Sequence, residues 1–268
     1  MTVPPSARLP LRFALAPLLA EVSQFADASW VAHFNAGYHD GGWQGVALRA
    51  AGGDAAMLYP DPARRDLTRD TGFLARCPGI AAALTRLQCP LRAVRVLRLA
   101  SGSVIREHSD DDLRLEDGEA RLHIPLATNP GVEFYVDGQR VIMEPGECWY
   151  LNLSLPHRVQ NRGAQQRIHL VVDCRVNDWL RAQIAMSEPV VRIAPAPSGQ
   201  EQFADFRELV FAEPALQEQL RAVVDPAEFV AKARGLGAAK GFSFTGEDVR
   251  AAMARGRHAR VSRSQGLV

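Results

Sequence analysis

The sequence predicts a mainly β protein with an antiparallel sandwich or small barrel of the jelly-roll type, helices before it and a small all-α module after it. Two observations predict this fold. Between Leu91 and Cys174 the apolar residues form short runs separated by turn motifs such as "VDGQ" and "EPGE". Beyond about residue 200 the apolar residues recur at helical spacing instead.

The N-terminal segment, from about Leu11 to Pro90, has a mixed pattern. Here "LAPLLAEVSQFADA" predicts a helix, "WQGVALRA" predicts a strand, and "GFLARCPGIAAALTRL" predicts one or two helices. The strands predicted for the β region are "LRAVRVLRLA", "EARLHIPLAT", "VEFYV", "QRVIME", "CWYLNL", "HRVQN" and "QRIHLVVDC".

The C-terminal module follows "PVVRIAPAPSGQ", which is typical of a linker. Pro214 and Pro226 mark predicted helix starts, and Thr245 or Gly246 is predicted to cap the last helix. We therefore expect a first domain over 1–185, a linker over 186–200, and a helical module with a basic tail over 201–268.

The composition is that of an ordinary globular protein. Of 268 residues, 47% are hydrophobic and 23% are charged, and the net charge of +1 gives no overall bias towards nucleic acid or membrane. The four cysteines form no CxxC pair, which argues against a zinc finger or redox motif. Arg12 interrupts the N-terminal apolar run, so we expect no signal peptide and a cytoplasmic location with reduced thiols.

Two histidines and an aspartate have the spacing of a metal site. His108 and Asp110 are two residues apart in an extended segment, so their side chains point to the same face. His157 begins another predicted strand 49 residues later. Two histidines and one carboxylate can hold Fe(II) and leave coordination positions open. The alternative is that Asp110–Asp112 forms a solvated acidic loop.

Arg167 lies ten residues after His157, on the next predicted strand. Its guanidinium could bind a dicarboxylate through paired hydrogen bonds, unless it is a surface arginine on an edge strand. Arg121 and His123 share one face of their strand, and burying them there would be costly without a nearby anion. Alternatively, His123 is a hydrogen-bonded core histidine.

Taken together, these segments resemble the aspartyl/asparaginyl β-hydroxylase family. The resemblance covers roughly Leu11 to Leu180 and includes "HFNAGYHDGGWQGVALRAAGG", "EHSDDDL", "EDGEARLHIPLATNPGVEFYVDG", "GECWYLNLSLPHRVQNRG" and "QRIHLVVDCRVNDWL". It implies a double-stranded β-helix fold and an Fe(II)- and 2-oxoglutarate-dependent dioxygenase that also consumes O2. Because Asp110 is retained, a hydroxylase is favoured over a halogenase.

The resemblance also implies roles for individual residues. His108, Asp110 and His157 would hold the iron, Arg167 would bind the distal carboxylate of 2-oxoglutarate, and Arg121 and His123 would lie near its iron-bound end. Activity should then fall at acid pH as the two histidine ligands become protonated. Candidates for lining a substrate pocket, all of which could equally be core residues, are Asn35, Tyr38, Trp43 and Trp149.

The C-terminal module, from about Gln202 to Arg255, is similar to the Nif-type leader-peptide domain of ribosomally made peptide precursors. It predicts a protein- or peptide-docking module, and a simple helical cap is the alternative. The expected substrate is an aspartyl or asparaginyl residue in a peptide or on a carrier. Open alternatives are a free amino acid such as proline, a non-catalytic cupin-like binding module, and a hydrolytic zinc site.

Overall fold

The computed structural model describes residues 3–33, 37–39, 41–58, 67–110, 113–187 and 198–254. The chain forms two compact units, residues 1–192 and 193–268. Most of the linker predicted over 186–200 lies outside the described residues. Within the described ranges, every helix is too short or too polar to cross a membrane.

The first unit is built mainly of antiparallel strands, so the predicted fold class is confirmed. Its strands are β1 (Ser6–Arg12), β2 (Val31–Ala32), β3 (Trp43–Ala51), β4 (Thr68–Asp70), β5 (Leu91–Leu99), β6 (Val104–His108), β7 (Glu119–Ala127), β8 (Val132–Val136), β9 (Gln139–Arg140), β10 (Glu147–Leu151), β11 (His157–Asn161) and β12 (Arg167–Arg175). The helices of this unit are α1 (Leu15–Val22), α2 (Pro78–Leu84) and α3 (Asp178–Ala185).

The strands form two sheets that face each other. The large sheet has the order β1-β10-β7-β12-β5-β3-β2, with β4 paired to β3, and the small sheet has the order β6-β11-β8-β9. Between β8 and β9, Asp137 and Gly138 both have positive φ (50° and 70°), as a two-residue hairpin turn requires.

Alternation along the strands gives the large sheet two different faces. On β7 and β12 the side chains of one face are apolar and pack with α1, α2 and α3 in the larger core cluster. The opposite face looks into the space between the sheets, where a second cluster packs. The inward positions of the same two strands hold Arg121, His123, Arg167, His169 and Asp173.

Several elements differ from the sequence prediction, among them β2, β4 and α3, which were not predicted. Strand β1 was not predicted, and it forms an edge of the large sheet, where a proline such as Pro10 is tolerated. The strand predicted from "QRVIME" is short, because only Gln139 and Arg140 pair with β8. Val141 still donates one backbone hydrogen bond to Phe134 of β8 at 2.8 Å, and both Val141 and Met143 are buried between the sheets.

The second unit contains α4 (Gly199–Ala212), α5 (Pro214–Arg221), α6 (Pro226–Ala239) and a helical stretch over 246–254. Ser198 and Glu201 form a capping box on α4, and the side chain of Asp225 caps α6. At the start of the last helical stretch, Thr245 Oγ1 accepts a hydrogen bond from the backbone N–H of Asp248. Of the two predicted caps, Thr245 and Gly246, it is therefore Thr245 that caps this helix. The basic tail beyond residue 254 lies outside the described residues.

Candidate metal centre

His108, Asp110 and His157 come together at one end of the small sheet. His108 ends β6 and His157 begins β11, and the two residues are directly paired in the register of these strands. The backbone N–H of Asp110 donates to the carbonyl of Leu153 at 2.8 Å, which holds the segment after β6 in place. One potential ligand atom from each of the three side chains lies within 4.8 Å of the other two.

Both histidines have one ring nitrogen bound to the backbone. His108 Nδ1 lies 2.7 Å from the carbonyl oxygen of Arg106, and His157 Nδ1 lies 3.0 Å from that of Leu155. Because a carbonyl oxygen only accepts, each Nδ1 must donate, which leaves the Nε2 lone pair free for a metal. Burial, and then the proximity of His108, lower the pKa of His157 to about 4, so its ring is neutral at neutral pH.

The donor set fits a divalent transition metal. Two neutral imidazoles and one carboxylate suit Fe(II) and leave coordination positions open. Among the described residues, no other trio of histidine, cysteine or acidic side chains comes equally close together.

Arg121 links the metal-site carboxylate to a second, buried carboxylate. Its Nη1 donates to Asp110 Oδ2 at 2.6 Å, and its Nε and Nη2 donate to the two oxygens of Asp173 at 2.6 and 3.1 Å. Arg95 also donates to Asp173. Burial alone would raise the pKa of the Asp173 carboxyl, but the charges of Arg121 and Arg95 outweigh it and lower this pKa. The cation of Arg121 is therefore balanced within the protein.

Arg167 has no such balance. Its side chain is almost fully buried, its Nη2 donates to His169 Nδ1 at 2.7 Å, and its guanidinium lies 5.7 Å from the ring centre of Phe134. Among the described residues no carboxylate pairs with it, and its Nε has no hydrogen-bond partner. Burial lowers the pKa of Arg167 to about 9. A buried cation with free donors has the chemistry to bind an anion.

His123 lies beside this arginine. Its Nδ1 is 3.2 Å from His169 Nδ1, and its Nε2 is buried without a hydrogen-bond partner among the described residues. Burial, and then the charge of Arg167, lower the pKa of His123 well below its usual value, so the ring is neutral. A buried nitrogen without a partner is costly, and a polar ligand in this position would satisfy it.

All six of these predicted residues line one cavity between the two sheets. The cavity has a volume of about 30 Å³. Its wall, as far as the described residues form it, consists of Trp43, Leu97, Ile105, His108, Asp110, Arg121, His123, Phe134, Leu153, His157, Val159, Arg167 and Val171. The triad and the unbalanced arginine thus face the same, partly apolar space.

The four predicted substrate-pocket residues lie in different places. Trp43 lines the cavity, and the ring of Tyr38 stacks on His108 with centroids 4.5 Å apart. Trp149 is not among the described residues of the cavity wall, and its indole N–H donates to Glu147 at 2.8 Å in the core. Asn35 lies outside the described residues.

The sequence analysis missed Arg95 and Asp173. Each is a charged residue whose neighbours on both sides in the chain are apolar, and each side chain is almost fully buried. Arg121 and Asp173 lie directly opposite each other on β7 and β12. A signal was present, because Arg167, His169 and Asp173 alternate along one face of β12 just as Arg121 and His123 do on β7.

Comparison with known proteins places this geometry in a family. Residues 15–176, more than half of the chain, match the profile of the family described as "Aspartyl/Asparaginyl beta-hydroxylase". The chain belongs to the aspartyl/asparaginyl β-hydroxylase family. The predicted resemblance of the first unit is thereby confirmed, whereas the similarity of the C-terminal module to a leader-peptide domain stays a prediction.

A curated relative is the L-proline cis-4-hydroxylase of Rhizobium meliloti (strain 1021). It is 30% identical over 152 residues, which cover 53% of this chain and 52% of that protein. The chain therefore matches only about half the length of this relative.

Two solved structures are distantly similar. One is HygX from Streptomyces hygroscopicus with nickel and 2-oxoglutarate bound, at a TM-score of 0.41 and 13% identity, covering 66% of this chain and 84% of that one. The other is an oxidoreductase of the 2OG-Fe(II) oxygenase family from Burkholderia pseudomallei, at a TM-score of 0.37 and 20% identity, covering 61% and 78%. At these levels of similarity they say nothing about what this chain binds.

Proposed function

We propose that the first unit is an Fe(II)- and 2-oxoglutarate-dependent dioxygenase that hydroxylates an amino-acid side chain. One observation supports this most directly. The trio His108, Asp110 and His157 and the unbalanced cation Arg167 line the same cavity. A metal site alone would not need a buried cation nearby, whereas a metal-bound dicarboxylate needs both. Membership of the family supports the same activity.

The residues of the chain have separate tasks in this proposal. His108 and His157 offer Nε2, and Asp110 offers a carboxylate oxygen, to hold Fe(II). Arg167 binds the distal carboxylate of 2-oxoglutarate, and Arg121 and His123 lie near its iron-bound end. When bound, the iron with 2-oxoglutarate and O2 supplies the oxidising power to hydroxylate a C–H bond.

Apolar side chains of the cavity have a further task. Among them, Phe134, Val159 and Val171 line the same space as the polar groups. They exclude water, which strengthens the electrostatic interactions of the ligands inside.

The substrate we propose is an aspartyl or asparaginyl residue in a peptide or on a carrier. The name of the family supports this choice. The appended helical unit is consistent with it, since a separate module could bind a peptide or protein partner.

A second candidate is a free amino acid of the proline type. It is supported by the curated relative, whose name is that of an L-proline hydroxylase. Incubating the holoenzyme with free L-proline and with Asp- or Asn-containing peptides separates the candidates, because hydroxylation adds one oxygen to the mass of the true substrate.

The activity itself is tested by anaerobic titration of the purified chain with Fe(II) and then 2-oxoglutarate. We expect the weak visible charge-transfer band of the iron–2-oxoglutarate chelate in the wild type and its loss in His108→Ala. If metal binds but 2-oxoglutarate produces no band, the dioxygenase proposal is wrong, and a non-catalytic binding module becomes the better interpretation.

A further inference from the structure

Asp173 is a buried carboxylate that the proposed chemistry does not use directly. It lies on β12, facing the space between the sheets, and its side chain is only 4% exposed. It accepts hydrogen bonds from Arg121 on one neighbouring strand and from Arg95 on the other. We propose that Asp173 is a positioning residue that fixes Arg121, so that Arg121 in turn holds Asp110 with one carboxylate oxygen free for the metal. This inference rests on the proposed function of the site.

The geometry of Arg121 supports a positioning role. A guanidinium is a rigid planar fork, so fixing one edge fixes the other. Two donors on one side, Nε and Nη2, bind the two oxygens of Asp173, while Nη1 binds Asp110 Oδ2. The cross-strand pairing of Arg121 with Asp173 sets the reach of the fork towards Asp110.

The orientation of Asp110 follows from this contact. With Oδ2 bound to Arg121, the remaining oxygen Oδ1 has no hydrogen-bond partner among the described residues. A carboxylate held in this way offers one oxygen to a metal. Arg121 would thus contact a metal ligand and not the metal itself. Mutation of such a residue commonly changes metal affinity by about 10- to 100-fold.

Charge balance gives a second reason. Arg121 pairs with Asp110, the charge of Arg95 also acts on Asp110, and Asp173 supplies the carboxylate that both arginines bind. Without Asp173, the positive charges of the two arginines would be less neutralised. They would attract the Asp110 carboxylate more strongly and repel an incoming divalent cation, and both effects would weaken metal binding.

The test compares Asp173→Asn with Glu147→Gln by titration with Co(II) alone, without 2-oxoglutarate. Glu147 is a matched control, because it is also a fully buried carboxylate and also binds two arginines, Arg8 and Arg12, but it lies outside the cavity wall. Arg121 is the direct partner of the ligand Asp110 and Asp173 acts through it, so we expect Asp173→Asn to weaken Co(II) binding about 10-fold, the lower end of the range for direct partners, and to alter the visible Co(II) spectrum. Glu147→Gln should bind Co(II) like the wild type, even if it lowers Tm.

Equal Co(II) affinity and an unchanged spectrum in Asp173→Asn would overturn the inference. If Asp173→Asn does not fold, Arg121→Lys serves instead, since it keeps the charge but replaces the planar fork with a single ammonium that cannot bind Asp173 through two fixed parallel donors. It should show the same loss, and wild-type affinity would overturn the inference equally. The double variant Asp173→Asn/Arg121→Lys should lose little more Co(II) affinity than either single variant, because both substitutions break the contact between Asp173 and Arg121.

The outcome for the proposed function is read separately. A wild type that binds Co(II) but gives no charge-transfer band with Fe(II) and 2-oxoglutarate contradicts the dioxygenase activity, yet the Co(II) comparison still decides the role of Asp173. A wild type with the band, but with no difference between Asp173→Asn and Glu147→Gln, contradicts the positioning role alone.

Discussion

The space between the two sheets and the core of the helical unit are buried in opposite ways. Among the described inner residues of the sandwich are charged or titratable groups, namely the buried Arg95, His123, Arg167, His169 and Asp173 and the partly buried Arg121. The core cluster of the helical unit is apolar and consists of Phe203, Phe206, Leu220, Val230, Ala233, Phe244 and Val249. Burying apolar groups stabilises a fold, whereas burying charges costs free energy unless they are paired. The sandwich interior combines these polar groups with an apolar cluster, which fits the ligand site proposed above, whereas the cluster of the helical unit contributes apolar packing alone.

The largest effect should come from the metal ligands. In His108→Ala the site loses one of its two imidazoles, so we expect Fe(II) binding to weaken strongly and turnover to fall below detection. Metal titration and 2-oxoglutarate consumption are the measurements. The Tm of the apoprotein should change little, because His108 is only half-buried. Retained turnover in a folded variant would contradict the assignment of this residue.

The next effect concerns the unbalanced cation. Arg167→Ala removes the donors proposed for the distal carboxylate, and losing two charged hydrogen bonds of about 1.5–3 kcal/mol each should raise the 2-oxoglutarate requirement about 100-fold or more. Fe(II) binding without 2-oxoglutarate should be unchanged.

Arg158→Ala is the control for this experiment, since Arg158 is an exposed arginine on β11 that stacks over Tyr135. It should keep the wild-type 2-oxoglutarate requirement. A normal requirement in Arg167→Ala would remove Arg167 from the co-substrate site.

The two inner arginines should also differ in stability. Arg121→Met removes one of the two arginines that bind the buried carboxylate Asp173 and also the partner of Asp110, so it should lower the free energy of unfolding. Because Arg95 still binds Asp173, the loss should be smaller than the roughly 3–5 kcal/mol expected for a buried charge left without any partner. Arg167→Met removes a buried cation that has no carboxylate partner, so it should be neutral or stabilising in the protein without ligand. Denaturant unfolding of the two variants measures this contrast. Equal losses would mean that Arg167 is balanced as well as Arg121 is.

Much of the fold and the site could be predicted from the sequence because alternation is explicit in β7 and β12. Leu122 and Ile124 fall on one face of β7 and Arg121 and His123 on the other, as the period of a strand requires. The spacing of His108 and Asp110 indicated a shared face, and the structure brings His157 to the same point.

The parts that could not be predicted depend on contacts distant in sequence. Arg121 was expected to need an external anion, but its partner Asp173 is 52 residues away, and only strand register makes them neighbours. Trp149 was a candidate for the substrate pocket, yet its indole binds Glu147, which a single sequence does not reveal. Strand β1 contains Pro10, and a proline argues against a strand unless that strand lies at the edge of a sheet. The sequence alone does not show that β1 is an edge strand.

The smallest predicted effects concern the apolar core of the helical unit and involve two glycines of α6. Gly237 is buried, and a Cβ there would meet the ring of Phe244, whereas a Cβ at the exposed Gly235 would meet no atom within 4 Å. Gly237→Ala should therefore destabilise the helical unit by about 1–3 kcal/mol through overpacking. Gly235→Ala should stabilise it by about 0.5–1 kcal/mol, because alanine favours the helix and fills open space.

Calorimetry of the full chain, with Fe(II) binding as a parallel measurement, checks this pair. Metal affinity should stay at the wild-type value in both variants, because each changes the packing or helix propensity of the second unit and leaves the ligands of the first in place. Opposite shifts in the unfolding transition would show that the close approach of α6 to Phe244 is what requires glycine at 237. Stabilisation by both substitutions would mean that the ring can move aside, and that this core is less tightly packed than the contact at Gly237 implies.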